Sequence, residues 1–258
     1  MTKRGMGYRP DTHDKSKDLS IRHLLGAPVG VPAESSMESL MEGVYDQGQT
    51  SSCVGWAIAQ AIWLRCKKMG APIGLPSPEA LYVFARALDR DSPQTPLTDD
   101  GCMPNLAIRG MNEWGVPSNL QWPFDPNTID DEPNLEELEY ASASKITGYY
   151  RIDSTGSQRL ADIKQAISSG YPVAFGTQVD QKFEDYMGQG VLTAPDPNNL
   201  LGGHMMHLVG YTADGRYRGV NQWSASWGDN GLYYADASFL TAPQAGDFYV
   251  LTVAATGH

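Results

Sequence analysis

The sequence predicts an α+β fold with helices and strands segregated into two lobes, and two observations carry that prediction. Between residues 52 and 114 apolar residues recur at helical spacing, whereas beyond residue 170 they fall into short runs separated by Gly, Pro, Asn and Asp. Length alone fits one large domain or two small ones. The chain has 258 residues, 41% hydrophobic and 19% charged, enough for a large interior, and single cores stop growing at about 250 residues.

Each element has a local reason. From Ser52 to Lys68 the chain is apolar almost all round, with Val54, Ala57, Ile58, Ala61 and Ile62 on one stripe and Trp56, Ala59 and Trp63 on the next. Such a helix is a buried one. Ser51 or Ser52 is its expected N-cap, Lys67 and Lys68 occupy the last turn, and Gly70 follows. Ser77-Pro78-Glu79 opens a second helix that runs to about Leu88, with Ser as cap, Pro at the first helical position and Glu at the positive end. A third spans Pro104 to Trp114 and stops at Gly115. A fourth runs from about Ser157 to Ser169, with Leu160, Ile163 and Ile167 on one face and Gly170 closing it. Strands are expected at Pro172–Val179, His204–Tyr211, Tyr217–Trp223, Gly231–Ala235 and Phe248–Ala254.

Three segments follow from this pattern. Residues 1–44 are polar and carry no sustained period, so they read as an extended arm lying over the body. Residues 45–140 form the helical lobe and residues 141–258 the β-rich lobe. The acid-rich stretch Asp130–Glu139 reads as a connector with a short solvated helix.

Charge and cysteine content narrow the function. The net charge of −11 repels phosphate backbones and anionic lipid, which argues against a nucleic-acid or membrane partner. Cys53, Cys66 and Cys102 have the wrong parity for a disulfide framework and form no Cys-x-x-Cys pair, so a reducing compartment or one optional disulfide fits. No apolar stretch follows the basic N-terminus and none has the ~18 residues of a membrane span, so a cytoplasmic location is the default, with export by a route that reads no signal peptide left open.

Cys53 lies in the first turn of the buried helix, where the macrodipole is expected to stabilise a thiolate and lower the thiol pKa. A buried, inert thiol is the alternative for Cys53 considered alone. On the strand 204–211, His204 and His207 are three residues apart and therefore face opposite sides, so this pair is not a two-His metal site.

Three motifs place Cys53 in company. Val44-Tyr-Asp-Gln-Gly-Gln-Thr-Ser-Ser-Cys-Val-Gly-Trp-Ala57 resembles the active-site stretch of papain-like cysteine peptidases, with Gln47 six residues before Cys53. Gly202-Gly-His-Met-Met-His-Leu-Val-Gly-Tyr211 resembles that family's histidine motif, and Asn221-Gln-Trp-Ser-Ala-Ser-Trp-Gly-Asp-Asn-Gly231 its Asn-Ser-Trp segment. The resemblance runs from about Tyr8 to the C-terminus. Gly7-Tyr-Arg-Pro10, Tyr45-Asp-Gln-Gly-Gln49, Gly115-Val-Pro117, Trp122-Pro-Phe124 and Gly170-Tyr-Pro-Val173 look like bacterial and phage members.

The resemblance implies a papain-like fold, a helical lobe and a β-barrel-like lobe with the cleft between them. It implies Cys53 as nucleophile, His204 as base, Asn221 as the residue orienting the imidazole, and Gln47 as a donor to the oxyanion with the Cys53 N–H. His204 is selected because it stands five residues before the Val of Val-Gly-Tyr, which leaves His207 as a packed, hydrogen-bonded histidine. Trp223 is expected to shield the Asn–His bond, with Trp227 near the primed side and Gly203 and Asn105 among the residues that meet substrate. No metal and no organic cofactor are implied, and the partner is a peptide or protein substrate.

The chain departs from the family pattern in places. Thr50 and Val54 stand where papain itself has a Cys and an aromatic residue. The upstream disulfide of secreted relatives is thus absent, and Cys102 is expected to be a free, packed thiol. Met103-Pro104-Asn105 replaces the family's substrate-binding Gly-Gly, which leaves subsite preference open. Two further readings share these residues: a non-catalytic papain-fold module that binds a peptide or protein, and an acyl transferase or peptidoglycan amidase using the same triad. The arm is expected either to cross the outside of both lobes or to cover the cleft until removed.

Overall fold

The computed structural model describes residues 4–71, 73–142 and 148–252. In chain order its helices are α1 (Ile21–Leu25), α2 (Cys53–Lys68), α3 (Pro78–Asp89), α4 (Pro104–Trp114), α5 (Leu135–Ser142), α6 (Gly156–Ser168), α7 (Gln181–Glu184) and α8 (Ala237–Thr241). Its strands are β1 (Ser35–Ser36), β2 (Gly148–Arg151), β3 (Val173–Asp180), β4 (Leu200–Tyr211), β5 (Tyr217–Val220), β6 (Leu232–Ala235) and β7 (Ala245–Thr252). The strands form one sheet in the order β2-β7-β3-β4-β5-β6, antiparallel throughout, and β1 pairs with the far end of β4.

Helix α2 has no polar face, and 13 of its 16 residues are buried. One side packs on the sheet and another on α3, where Gly55 permits the approach: a Cβ there would lie 2.2 Å from the Pro78 carbonyl oxygen. At the start of α3 the Ser77 hydroxyl accepts from the Ala80 N–H at 3.1 Å, and Pro78 takes the first position, as the local sequence predicts. Ser52 differs from the expectation. It occupies the N-cap of α2 but makes no capping bond; its hydroxyl is 2.6 Å from that of Thr50 instead.

Interior side chains separate into two main clusters. One holds Phe175, Met206, Leu208 and Trp223 with Ile163 and Ile167 of α6; the other joins Ala57, Ile58 and Ala61 of α2 to Met205, Ala174 and Tyr249 of the sheet. Met205 and Met206 thus fall on opposite faces of β4, as strand geometry requires.

Strand limits differ from the expected ones where tertiary pairing intervenes. β4 begins at Leu200 because β3 offers partners that far, and β5 ends at Val220 because the chain then turns to meet residues 45–47. β7 begins at Ala245, and residues 253–254 of the expected strand lie outside the described residues. The arm is less irregular than its composition suggests, since it contributes α1 and β1, and Ser20 bridges to Arg151. Among the described residues no helix is long and apolar enough to cross a membrane.

His207 lies on β4 opposite Ala174 of β3 and Val220 of β5, with no exposure to solvent. It is packed, but the expected hydrogen bonds are absent: neither ring nitrogen has a partner. Burial pushes its pKa down to about 3. The unfolded chain therefore binds a proton between pH 6.5 and 3 that the native chain does not, and stability falls as pH drops through that range. In His207→Leu the loss of Tm between pH 7 and pH 5 is expected to shrink by about 5 °C, read from thermal melts of both proteins at both pH values.

Candidate active site

Four stretches of chain converge at the N-terminus of α2. The turn before it is set by its own polar groups: Asp46 Oδ1 accepts from the Gly48 N–H at 2.8 Å, and Thr50 Oγ1 donates to the Gln47 carbonyl at 2.8 Å. Thr50 thus holds the turn through its own side-chain hydrogen bonds. The Ser51 N–H donates to Asp99 Oδ1 at 2.8 Å, and Tyr82 of α3 donates to the same oxygen at 2.7 Å, which draws residues 99–102 alongside.

Gln222 joins this turn to the sheet. Its carbonyl accepts the Gln47 N–H at 2.9 Å, while its amide Nε2 donates to the Met205 carbonyl at 2.7 Å and the Cys53 carbonyl at 3.3 Å. In the sequence Gln222 is marked only by its place between Asn221 and Trp223.

His204 sits on β4 with its Nε2 2.8 Å from Asn221 Oδ1. Because Oδ1 is an acceptor that also receives the Gln222 N–H at 2.9 Å, Nε2 carries the proton and Nδ1 the lone pair. Nδ1 has no partner. The Trp223 ring lies 4.7 Å from the imidazole, centre to centre, and Phe183 packs against both, 5.7 Å from the imidazole and 5.3 Å from Trp223. Trp227 is buried behind them, its Nε1 donating to the Phe183 carbonyl at 3.1 Å.

The arm fills the remaining space. The Gly7 N–H donates to Cys53 Sγ at 3.4 Å, and Gln47 Nε2 donates to the Gly5 carbonyl at 3.1 Å as well as to Thr50 O at 2.7 Å. The Tyr8 N–H donates to the Gly203 carbonyl at 2.9 Å. Cys102 pairs with the arm through its backbone, receiving the Arg9 N–H at 3.0 Å and donating to Gly7 O at 2.8 Å. Asn105 meets the arm too, its N–H donating to Asp11 Oδ1 at 3.0 Å. Of the two expected courses for the arm, residues 5–11 follow the one that covers the cleft.

Buried charge anchors this segment. Asp247 accepts from the Tyr8 hydroxyl at 2.8 Å, the Asp11 N–H at 2.8 Å and Lys15 Nζ at 2.7 Å, all from the arm, and from Arg151 at 2.9 Å. Arg151 also donates to Asp11 at 3.1 Å and to the Tyr249 hydroxyl at 2.6 Å. Desolvation raises the pKa of Asp11, whereas the bonds from Lys15, Asp11 and Arg151 outweigh burial and hold Asp247 low.

Closure reverses the expected chemistry at Cys53. The helix N-terminus was expected to lower the thiol pKa, yet burial pushes it up to about 11, the backbone N–H groups around the sulfur offsetting only part of the desolvation. Burial also takes His204 down to about 4, against the bond from Asn221. Thiol and imidazole are both 0% exposed and both neutral at pH 7. Cys66 and Cys102 are likewise free and buried.

A thiol at a helix N-terminus and an imidazole whose far nitrogen is held by a carboxamide are the side chains that cysteine hydrolases use. The profile of the papain family of cysteine proteases matches residues 86–238, a span that holds His204 and Asn221 and begins after Gln47 and Cys53. The chain belongs to the papain family. It is 29% identical over 216 residues to an uncharacterised peptidase C1-like protein of Acanthamoeba polyphaga mimivirus, across 80% of this chain and 68% of that protein. Its fold is similar to that of xylellain, a cysteine protease from Xylella fastidiosa, with a TM-score of 0.82 and 26% identity over 98% of this chain and 97% of that one. Digestive procathepsin L 3 of the Tenebrio molitor larval midgut shares the fold at a TM-score of 0.68 and 18% identity, over 97% of this chain and 76% of its own.

Since Tyr8 is the arm's largest buried side chain in the cleft, Tyr8→Ala is expected to release the segment. Loss of a docked aromatic, about 3 kcal/mol, raises the open population and hence alkylation of Cys53 on the order of 100-fold at pH 7.5. Iodoacetamide labelling with peptide mass mapping, which separates Cys53 from Cys66 and Cys102, measures it.

Proposed function

We propose that the protein is a peptidase that cleaves peptide bonds through a Cys53 acyl-thioester, and that residues 5–11 hold it in a latent form. The observation that carries this reading is how the arm meets the site: a backbone carbonyl rests on the Gln47 amide while the next peptide N–H but one lies on Cys53 Sγ.

With the arm displaced and the cleft open to water, desolvation no longer disfavours charge, and proton transfer from Cys53 to His204 Nδ1 becomes accessible. The thiolate attacks the carbonyl carbon of a peptide bond. The oxygen that gains charge accepts from Gln47 Nε2 and the Cys53 N–H, an interaction that at such sites contributes about 3 kcal/mol to the barrier. As the tetrahedral adduct collapses, the imidazolium gives its proton to the departing amine, leaving a thioester on Cys53. His204 then takes a proton from water, hydroxide attacks the thioester carbonyl, and the carboxylic acid leaves as the thiol is restored. Asn221 holds the ring so that Nδ1, rather than Nε2, serves as the base, and Trp223 keeps water from that hydrogen bond. No step calls for a metal or an organic cofactor.

Latency follows from the same contacts. The arm occupies the donors and the sulfur at once, and it raises the thiol pKa, so both access and nucleophilicity are restored when it leaves.

The test is casein hydrolysis by the Tyr8→Ala chain alongside labelling by a thiol-directed epoxide. Cys53→Ala in that background is expected to abolish both, and Gln47→Ala to lower kcat by about 10²–10³ while epoxide labelling persists. A Tyr8→Ala protein that neither cleaves casein nor takes the label on Cys53 would overturn the reading.

A further inference from the structure

The side chain of Tyr8 occupies a pocket that the body of the protein builds beside the nucleophile. The ring lies on Gly176 of β3, where a Cβ would fall 2.1 Å from it, so any residue but glycine would fill the space the ring uses. Gly246 lies 3.6 Å beyond the hydroxyl on the same measure, and Asp247 accepts the hydroxyl proton at the base at 2.8 Å. The backbone of Tyr8 donates to Gly203, next to His204, and Gly7 touches Cys53. The pocket therefore opens onto the reacting atoms.

The bonds at Asp247 distinguish what belongs there. Its side chain has no exposure, and Oδ2 receives only Tyr8 and the Asp11 N–H, both from the arm, whereas Oδ1 also has Arg151 from the body. When the arm leaves, water replaces the Tyr8 hydroxyl and the Asp11 N–H on Oδ2. A bound ring without a hydroxyl would displace that water and seal the carboxylate oxygen in without a donor, which is costly.

We infer that this pocket is a substrate subsite selective for tyrosine, with Asp247 and Gly176 as its specificity-determining residues; this rests on the peptidase reading above. A tyrosine side chain from a substrate then repeats what Tyr8 does in the closed chain, ring on Gly176 and hydroxyl on Asp247. Phenylalanine reaches the same depth but leaves Oδ2 unpaired, and leucine leaves the base empty.

The experiment uses the full-length Tyr8→Ala chain and fluorogenic peptides that carry Tyr, Phe, Leu, Lys or Ala at one position at a time, over four positions before the scissile bond. At one of those positions Tyr is expected to exceed Phe by about tenfold in kcat/KM, because a site built to bond a hydroxyl rejects the analogue without it. Adding Gly176→Val is expected to erase acceptance of both aromatics at that position and leave Ala the best residue. Adding Asp247→Asn, which keeps a residue type tolerant of the +49° φ at this position, is expected to bring the Tyr-to-Phe ratio toward one with Leu and Ala little changed. Cleavage with Tyr and Phe equal at every position, or an unaltered aromatic preference in Gly176→Val, overturns the inference while leaving the peptidase reading intact. No cleavage of any peptide together with an unlabelled Cys53 overturns the peptidase reading and this inference with it.

Discussion

Helix α2 is apolar on every side, and that constraint organises the molecule. A helix with no face for water has to be covered all round, here by the sheet on one side and by α3 on another. Burying the whole helix places its first turn at the junction of both layers. Cys53 is in that turn, and the groups that touch it or the arm segment over it come from both: Gln47 and Cys102 from the helical side, Gly203 and Gln222 from the sheet side, with His204 and Asn221 next to these in the chain. The site is thus a consequence of how the central helix is buried, with Gln222 tying the two halves through two hydrogen bonds, to Gln47 and to Cys53.

The arm changes the chemistry as well as the access. A thiol at a helix N-terminus ought to ionise readily, and the dipole of α2 is present, but removing the sulfur and the imidazole from water costs more than the dipole and the nearby N–H groups return. The same segment that covers Cys53 is secured by Asp247 and Arg151, on the opposite wall of its path. Covering and anchoring are therefore one structure, and the residue at its centre, Tyr8, contributes to both through its backbone and its side chain.

Local rules read much of this from the chain. Ser77-Pro78-Glu79 marked the start of α3 and Gly115 the end of α4, because capping depends on residues within one turn. The pairing of His204 with Asn221 was legible through motif order. What failed were features set by distant partners: the short strands β1 and β2, the end of β5, and the absence of hydrogen bonds at His207. A strand of two residues has no period to detect, and whether a buried imidazole finds a donor depends on residues far away in sequence.

The sequence by itself determined the class of fold, the order of the motifs and the identity of the side chains brought together, since periodicity, capping and residue type are local properties. Only the tertiary structure decided the protonation of Cys53 and His204, the role of Gln222, and the contents of the pocket over Gly176. Desolvation and hydrogen-bond satisfaction depend on what lies nearby in space, and the arm that supplies it is more than forty residues away along the chain, so no local pattern could encode the outcome.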